Sequence, residues 1–103
     1  MYIYVNDIKY KLIVCNNVIS RFMGLMFKTN IKDIYMFPHC NSIHTFFMKE
    51  KIDIIFTDKD NNVIKTINSL DKNKVIVCKK AYNVYELPNK SIEENNIKIR
   101  IAK

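Results

Sequence analysis

Glycine occurs once in this chain of 103 residues, proline twice and tryptophan never. With so little glycine, tight turns fall to asparagine and aspartate, which also tolerate a positive φ. No run approaches the ~20 apolar residues of a membrane-spanning helix. The stretch Met1–Asp7 has no basic segment followed by an apolar one, so it does not read as an export signal, and a cytoplasmic location is expected. Three cysteines, Cys15, Cys40 and Cys78, are an odd number without C-x-x-C spacing. That argues against a disulfide framework and against the common zinc patterns, and no metal or cofactor is expected.

Arginine is scarce as well: only Arg21 and Arg100 stand among 17 basic residues, and the net charge is +7. Clustered cations would suggest a nucleic-acid partner. The lysines are scattered instead, with no run longer than Lys79-Lys80. The joint excess of Lys, Asn and Ile is also what an AT-rich coding sequence produces. Specific nucleic-acid binding is therefore not expected. Against this bias Arg21 and Gly24 stand out. Lysine does not replace arginine where a planar fork is needed, and glycine costs a helix about 1 kcal/mol relative to alanine.

An apolar share of 49% suits one domain spanning residues 1–103. Tyr2–Val5 and Ile8–Val14 read as strands joined by an Asn6-Asp7 turn. Val18, Phe22, Leu25 and Met26 recur at helical spacing, so a main helix is expected over 18–27. Strands follow over Tyr35–Phe37, Ile43–Lys49, Ile52–Thr57, Val63–Ile67, Lys74–Lys79, Ala81–Leu87 and Ile97–Ile101. Ser91 is placed to cap a helical turn through Glu94. Asp58–Asn62 is a polar turn in which an Asn takes the left-handed conformation. The expected class is α+β: a strand-rich antiparallel or mixed sheet, rolled toward a small barrel, with one main helix.

The densest chemistry lies between Cys40 and Asp58. As a strand, this segment places His44, Phe46 and Met48 on one face and Thr45 on the other. Asp53 sits in the apolar run Ile52–Phe56. Burying an unpaired carboxylate is costly, so it must lie at a strand end, meet a cation or accept backbone N–H bonds.

The ordered set Arg21-x-x-Gly-Leu-Met26, Met36-Phe37, Cys40-x-x-x-His-Thr-x-x-Met48, Ile52-Asp-x-x-Phe-x-Asp58, Val63 and Ala81-x-x-x-x-Glu-Leu87 resembles the family called domain of unknown function 192. The His44-Thr45 pair resembles its His-Thr branch. The resemblance implies a compact β-rich α+β fold in which the matched residues cluster, and no established biochemical role. Asn62 stands where the pattern has a turn glycine, and the pattern's Gly-Asp near the last strand is missing around Arg100.

These residues suggest a binding or accessory module with a polar pocket near Arg21, His44 and Asp53, taking a small polar or anionic ligand. Gly24, Thr45, Met48 and Glu86 complete the candidate set. The plainer reading is that Arg21 ties the helix to Asp53 or Glu86. Two rivals are a small hydrolase-like enzyme using His44 with a carboxylate, and a protein–protein interaction module. A Cys40–His44 dyad requires the chain to fold back, because four extended residues span ~13 Å.

Overall fold

The computed structural model describes residues 1–17, 28–92 and 97–102. Nine strands run through it: β1 (Tyr2–Val5), β2 (Ile8–Val14), β3 (Ile34–Pro38), β4 (Ser42–His44), β5 (Ile52–Thr57), β6 (Val63–Leu70), β7 (Val75–Val77), β8 (Asn83–Pro88) and β9 (Ile99–Ala102). Seven form one curled sheet in the order β6-β5-β8-β3-β2-β1-β9, and β4 with β7 forms a separate ribbon. All neighbours are antiparallel except β2 and β3.

The α+β class expected from the sequence is corrected. Among the described residues there is no helix, and the architecture is a curled, half-barrel β-sheet. The helix expected over 18–27 lies outside the described residues, as does most of the turn expected through Glu94. No helix among the described residues is long and apolar enough to cross a membrane.

Turn chemistry follows the scarcity of glycine. Asn6 and Asp7 take φ of 48° and 71° and close the β1–β2 hairpin in the left-handed pair such a turn needs. In the β5–β6 turn the left-handed asparagine expected within Asp58–Asn62 is Asn61, at φ 64°. Asp58 organises that turn. Its Oδ1 accepts the amides of Asp60 and Asn62, and its Oδ2 accepts the Asn62 side chain.

The central strands β5 and β8 are buried on both faces, which sorts the core into two layers. One holds Ile3, Val5, Leu12, Ile34, Ile55, Tyr85, Leu87, Ile92 and Ile97. The other holds Cys15, Phe37, Met48, Ile52, Ile54, Phe56, Leu70 and Val84, with Ile43 and Ile76 of the ribbon packed against it.

The strand expected over Ile43–Lys49 stops at His44, because Thr45 gives its bonding groups elsewhere. Its hydroxyl donates to the Asp71 carbonyl and accepts the Lys74 amide, both at 2.8 Å. Its carbonyl accepts the amides of Met48 and Asn73. The chain then turns through Phe47, at φ 62°, and drops Met48 into the second layer. His44, Phe46 and Met48 therefore do not share a strand face.

Candidate functional site

Strand register decides which polar groups meet. Asp53 is paired with Leu87, and Glu86 with Ile54, on adjacent rungs of the β5–β8 ladder. Successive rungs face opposite sides of a sheet, so the two carboxyls point into different core layers.

Asp53 is fully buried and satisfied by backbone. A bulge between Ile52 and Ile54 shifts the β6 register, and Ser69 adopts φ 51° there. The bulge takes the Ser69 amide off the ladder and aims it at Asp53 Oδ1, 2.8 Å away. The Ile92 amide donates to Oδ2 at 2.9 Å. Of the three ways to accommodate this carboxylate, the fold uses backbone N–H donors. Both oxygens are thereby engaged in tying β6 and the segment before β9 to the central strand.

Glu86 has the opposite surroundings. Ile13 of β2, Tyr35 of β3, Glu86 of β8, Ile54 of β5 and Ile67 of β6 lie opposite one another in a continuous row across five strands. Glu86 is the one acidic member of that row. It is 5% exposed, and no described residue donates a hydrogen bond to it. Burial pushes its carboxyl up to about 8, so at neutral pH it is mostly the uncharged acid, able to donate and to accept.

Three further groups gather on this side. Cys15 follows Ile13 by two positions, on the same face, and its amide donates to the Met36 carbonyl at 2.8 Å. Burial pushes the Cys15 thiol up; the nearby Glu86 charge adds to this, and the Lys28 ammonium opposes it. A thiol shifted upward is a wall and not a nucleophile. The Lys28 ammonium donates to the Tyr35 hydroxyl at 2.5 Å and lies 4.5 Å from the centre of its ring. Beside them a cleft of about 260 Å³ is lined by Lys28, Asn30, Ile31, Asp33 and Tyr35. Glu50 accepts the amides of Asn30 and Ile31 and fixes the cleft's outer loop.

The remaining sequence candidates fall elsewhere. Arg21 and Gly24 lie outside the described residues. His44 sits on the β4–β7 ribbon opposite Val75, its ring stacked on Phe46 at 5.3 Å. The Cys40 thiol donates to the Ser42 carbonyl, and β4 runs extended from there to His44. Thr45 and Met48 shape the turn described above. Cys15, Lys28 and Tyr35 were missed by sequence reasoning. The only available signal was the β2–β3–β8 register, which requires the parallel pairing of two strands separated by 19 residues of chain.

The model of the family DUF192, described as "Uncharacterized ACR, COG1430", matches residues 2–100. No curated protein matches the chain. Among solved structures, the chain is similar to a protein of unknown function from Novosphingobium aromaticivorans DSM 12444, with a TM-score of 0.77 and 14% identity over 98% of this chain and 84% of that one. It is also similar to a protein from Sinorhizobium meliloti 1021 provisionally named a transcription regulator, with a TM-score of 0.77 and 10% identity over 96% of this chain and 89% of that one. At these identities the likeness is one of fold.

Proposed function

The chain belongs to the DUF192 family of uncharacterised proteins, and from that premise we propose that it is a cytoplasmic binding module whose site is built about Glu86. The observation that carries this reading is the Glu86 carboxyl itself: 5% exposed, raised to about 8, and without a hydrogen bond from any described residue. Burying a carboxyl in a core is costly, and perturbed acids concentrate at sites. Tyr35, its cross-strand neighbour, supplies a phenol, and Lys28 a cation at the cleft. A protonated carboxyl, a phenol and an ammonium together suit a small polar or anionic ligand that accepts hydrogen bonds.

This reading moves the centre of the site from Asp53 to Glu86. The rival hydrolase-like reading pairs His44 with a carboxylate, and both oxygens of one candidate, Asp53, are already held by amides. A protein-interaction role has one observation in its favour: Phe46, Val75 and Val77 are 41%, 59% and 53% exposed on or beside the ribbon.

The test is a thermal-shift panel of acetate, succinate, glutamate and phosphate, run on the wild type, Glu86→Leu, which removes the donor, and Lys28→Ala. Binding to the folded state raises the melting temperature by mass action. At least one probe should stabilise the wild type and lose its effect in both variants. If no probe shifts the wild type, or if the shifts persist in both variants, the reading fails.

A further inference from the structure

The lysines that look scattered in the sequence do not stay scattered in the sheet. β1 lies between β2 and β9, and its outward residues are Tyr2 and Tyr4. Tyr2 is opposite Lys11 on one side and Ala102 on the other, and Tyr4 is opposite Lys9 and Arg100. Lys98 is two residues before Arg100 and exposed. Cations from residues 9–11 and 98–100 therefore flank two tyrosines on one face. Lys9 lies 4.2 Å from the centre of the Tyr2 ring, and Arg100 4.2 Å from that of Tyr4. Tyr2 is 44% exposed. Among the described outward positions of these three strands there is no Asp or Glu.

We infer that this β9–β1–β2 face binds single-stranded nucleic acid, with bases stacking on Tyr2 and Tyr4 and phosphates on Lys9, Lys11, Lys98 and Arg100. Stacking on aromatic side chains set among cations is how proteins hold single strands without reading sequence. Charge complementarity selects a polyanion. The tyrosine rings select unpaired bases, because a duplex keeps its base faces covered. Two residues apart on one strand, the rings are about 7 Å from each other, which leaves room for bases to stack separately. Charged residues also protect a sheet edge from pairing with another chain, and a cation–π contact stabilises a strand pair without any ligand. The experiment must separate binding from those uses, and it is independent of the Glu86 site.

Fluorescence anisotropy of a labelled oligothymidylate and a labelled oligouridylate, titrated with the full chain at low salt, reads binding directly. Two charge-matched variants decide the origin. One is Lys9→Gln/Lys11→Gln/Arg100→Gln; the other is Lys59→Gln/Lys65→Gln/Lys72→Gln, which removes exposed lysines elsewhere. The first should weaken binding by about tenfold or more and the second much less, with salt slopes falling from roughly −3 in the wild type as phosphate contacts are removed. Tyr2→Ala alone should weaken binding by about fivefold or more while leaving the salt slope unchanged. Thermal melting of each variant confirms that it is folded. Should Tyr2→Ala unfold the chain, Tyr2→Leu, which keeps apolar bulk without a ring face, replaces it. The proposal is overturned by no binding at low salt, by equal losses in the two triple variants, or by a Tyr2 substitution without effect. It is equally overturned if phosphatidylserine vesicles bind as tightly as the oligonucleotides and depend on the same residues.

Discussion

Glu86→Gln keeps the side chain's shape and removes its ionisation, so the variant isolates what the buried carboxyl does to stability. In the folded chain the group titrates at about 8 against an ordinary 4.5. The folded state therefore holds a proton that the unfolded chain releases above its own value. Stability from this group is complete below the unfolded pKa, declines as pH rises through the window from 4.5 to about 8, and levels off above it. At about 1.36 kcal/mol per unit, the wild type loses about 3 kcal/mol between about pH 5 and about pH 7.5 from Glu86 alone. Urea denaturation of both proteins at the two pH values measures this, because Cys15, the group that the Glu86 charge raises, titrates above that interval in both chains. The wild type should lose about 3 kcal/mol more than Glu86→Gln over that interval. Parallel pH profiles would refute the reasoning, since they would mean that the carboxyl is solvated or paired in the folded protein.

Substitutions at three other positions separate structural ties from the site. Asp53→Ala strands the amides of Ser69 and Ile92, at about 1–3 kcal/mol each, and should lower urea stability by about 2–4 kcal/mol while leaving any ligand-induced thermal shift of the folded protein in place. Asn61 combines a positive φ with acceptance of the Tyr85 hydroxyl at 2.6 Å, so Asn61→Gly should cost about 1 kcal/mol and Asn61→Ala about 2 kcal/mol by the same measurement. Thr45→Val removes the hydroxyl that bridges Asp71 and Lys74. It should cost about 1–3 kcal/mol and increase amide hydrogen exchange at Lys74 before the central strands are affected.

Much of the sheet was legible in the sequence because periodicity and turn chemistry agreed. Tyr2–Val5, Ile8–Val14 and Ile52–Thr57 form over the ranges that alternation and the Asn-Asp turn implied. The strand over Ile43–Lys49 failed because the side-chain and backbone bonds of Thr45 reach residues 71–74, and no local pattern encodes partners so far along the chain. Asp53 was correctly singled out as an acid needing partners, yet its donors are backbone amides of residues 69 and 92, exposed to it by a bulge that residue types do not announce. The matched Ile52-Asp-x-x-Phe-x-Asp58 pattern thus marks structural carboxylates at Asp53 and Asp58. Glu86 was a candidate from the pattern alone; its place among Ile13, Tyr35, Ile54 and Ile67 became visible only once that row was set. The cationic face was hidden for the same reason, since Lys9 and Arg100 meet Tyr4 only through pairing of the first strand with the last.

The most direct measurement is a carbon-13 NMR titration of the Glu86 carboxyl, with and without succinate. The account predicts a midpoint near 8 in the free protein, and a further rise when the anion accepts the carboxyl's proton in a hydrogen bond. A midpoint at the ordinary 4.5 that does not move with succinate would contradict it.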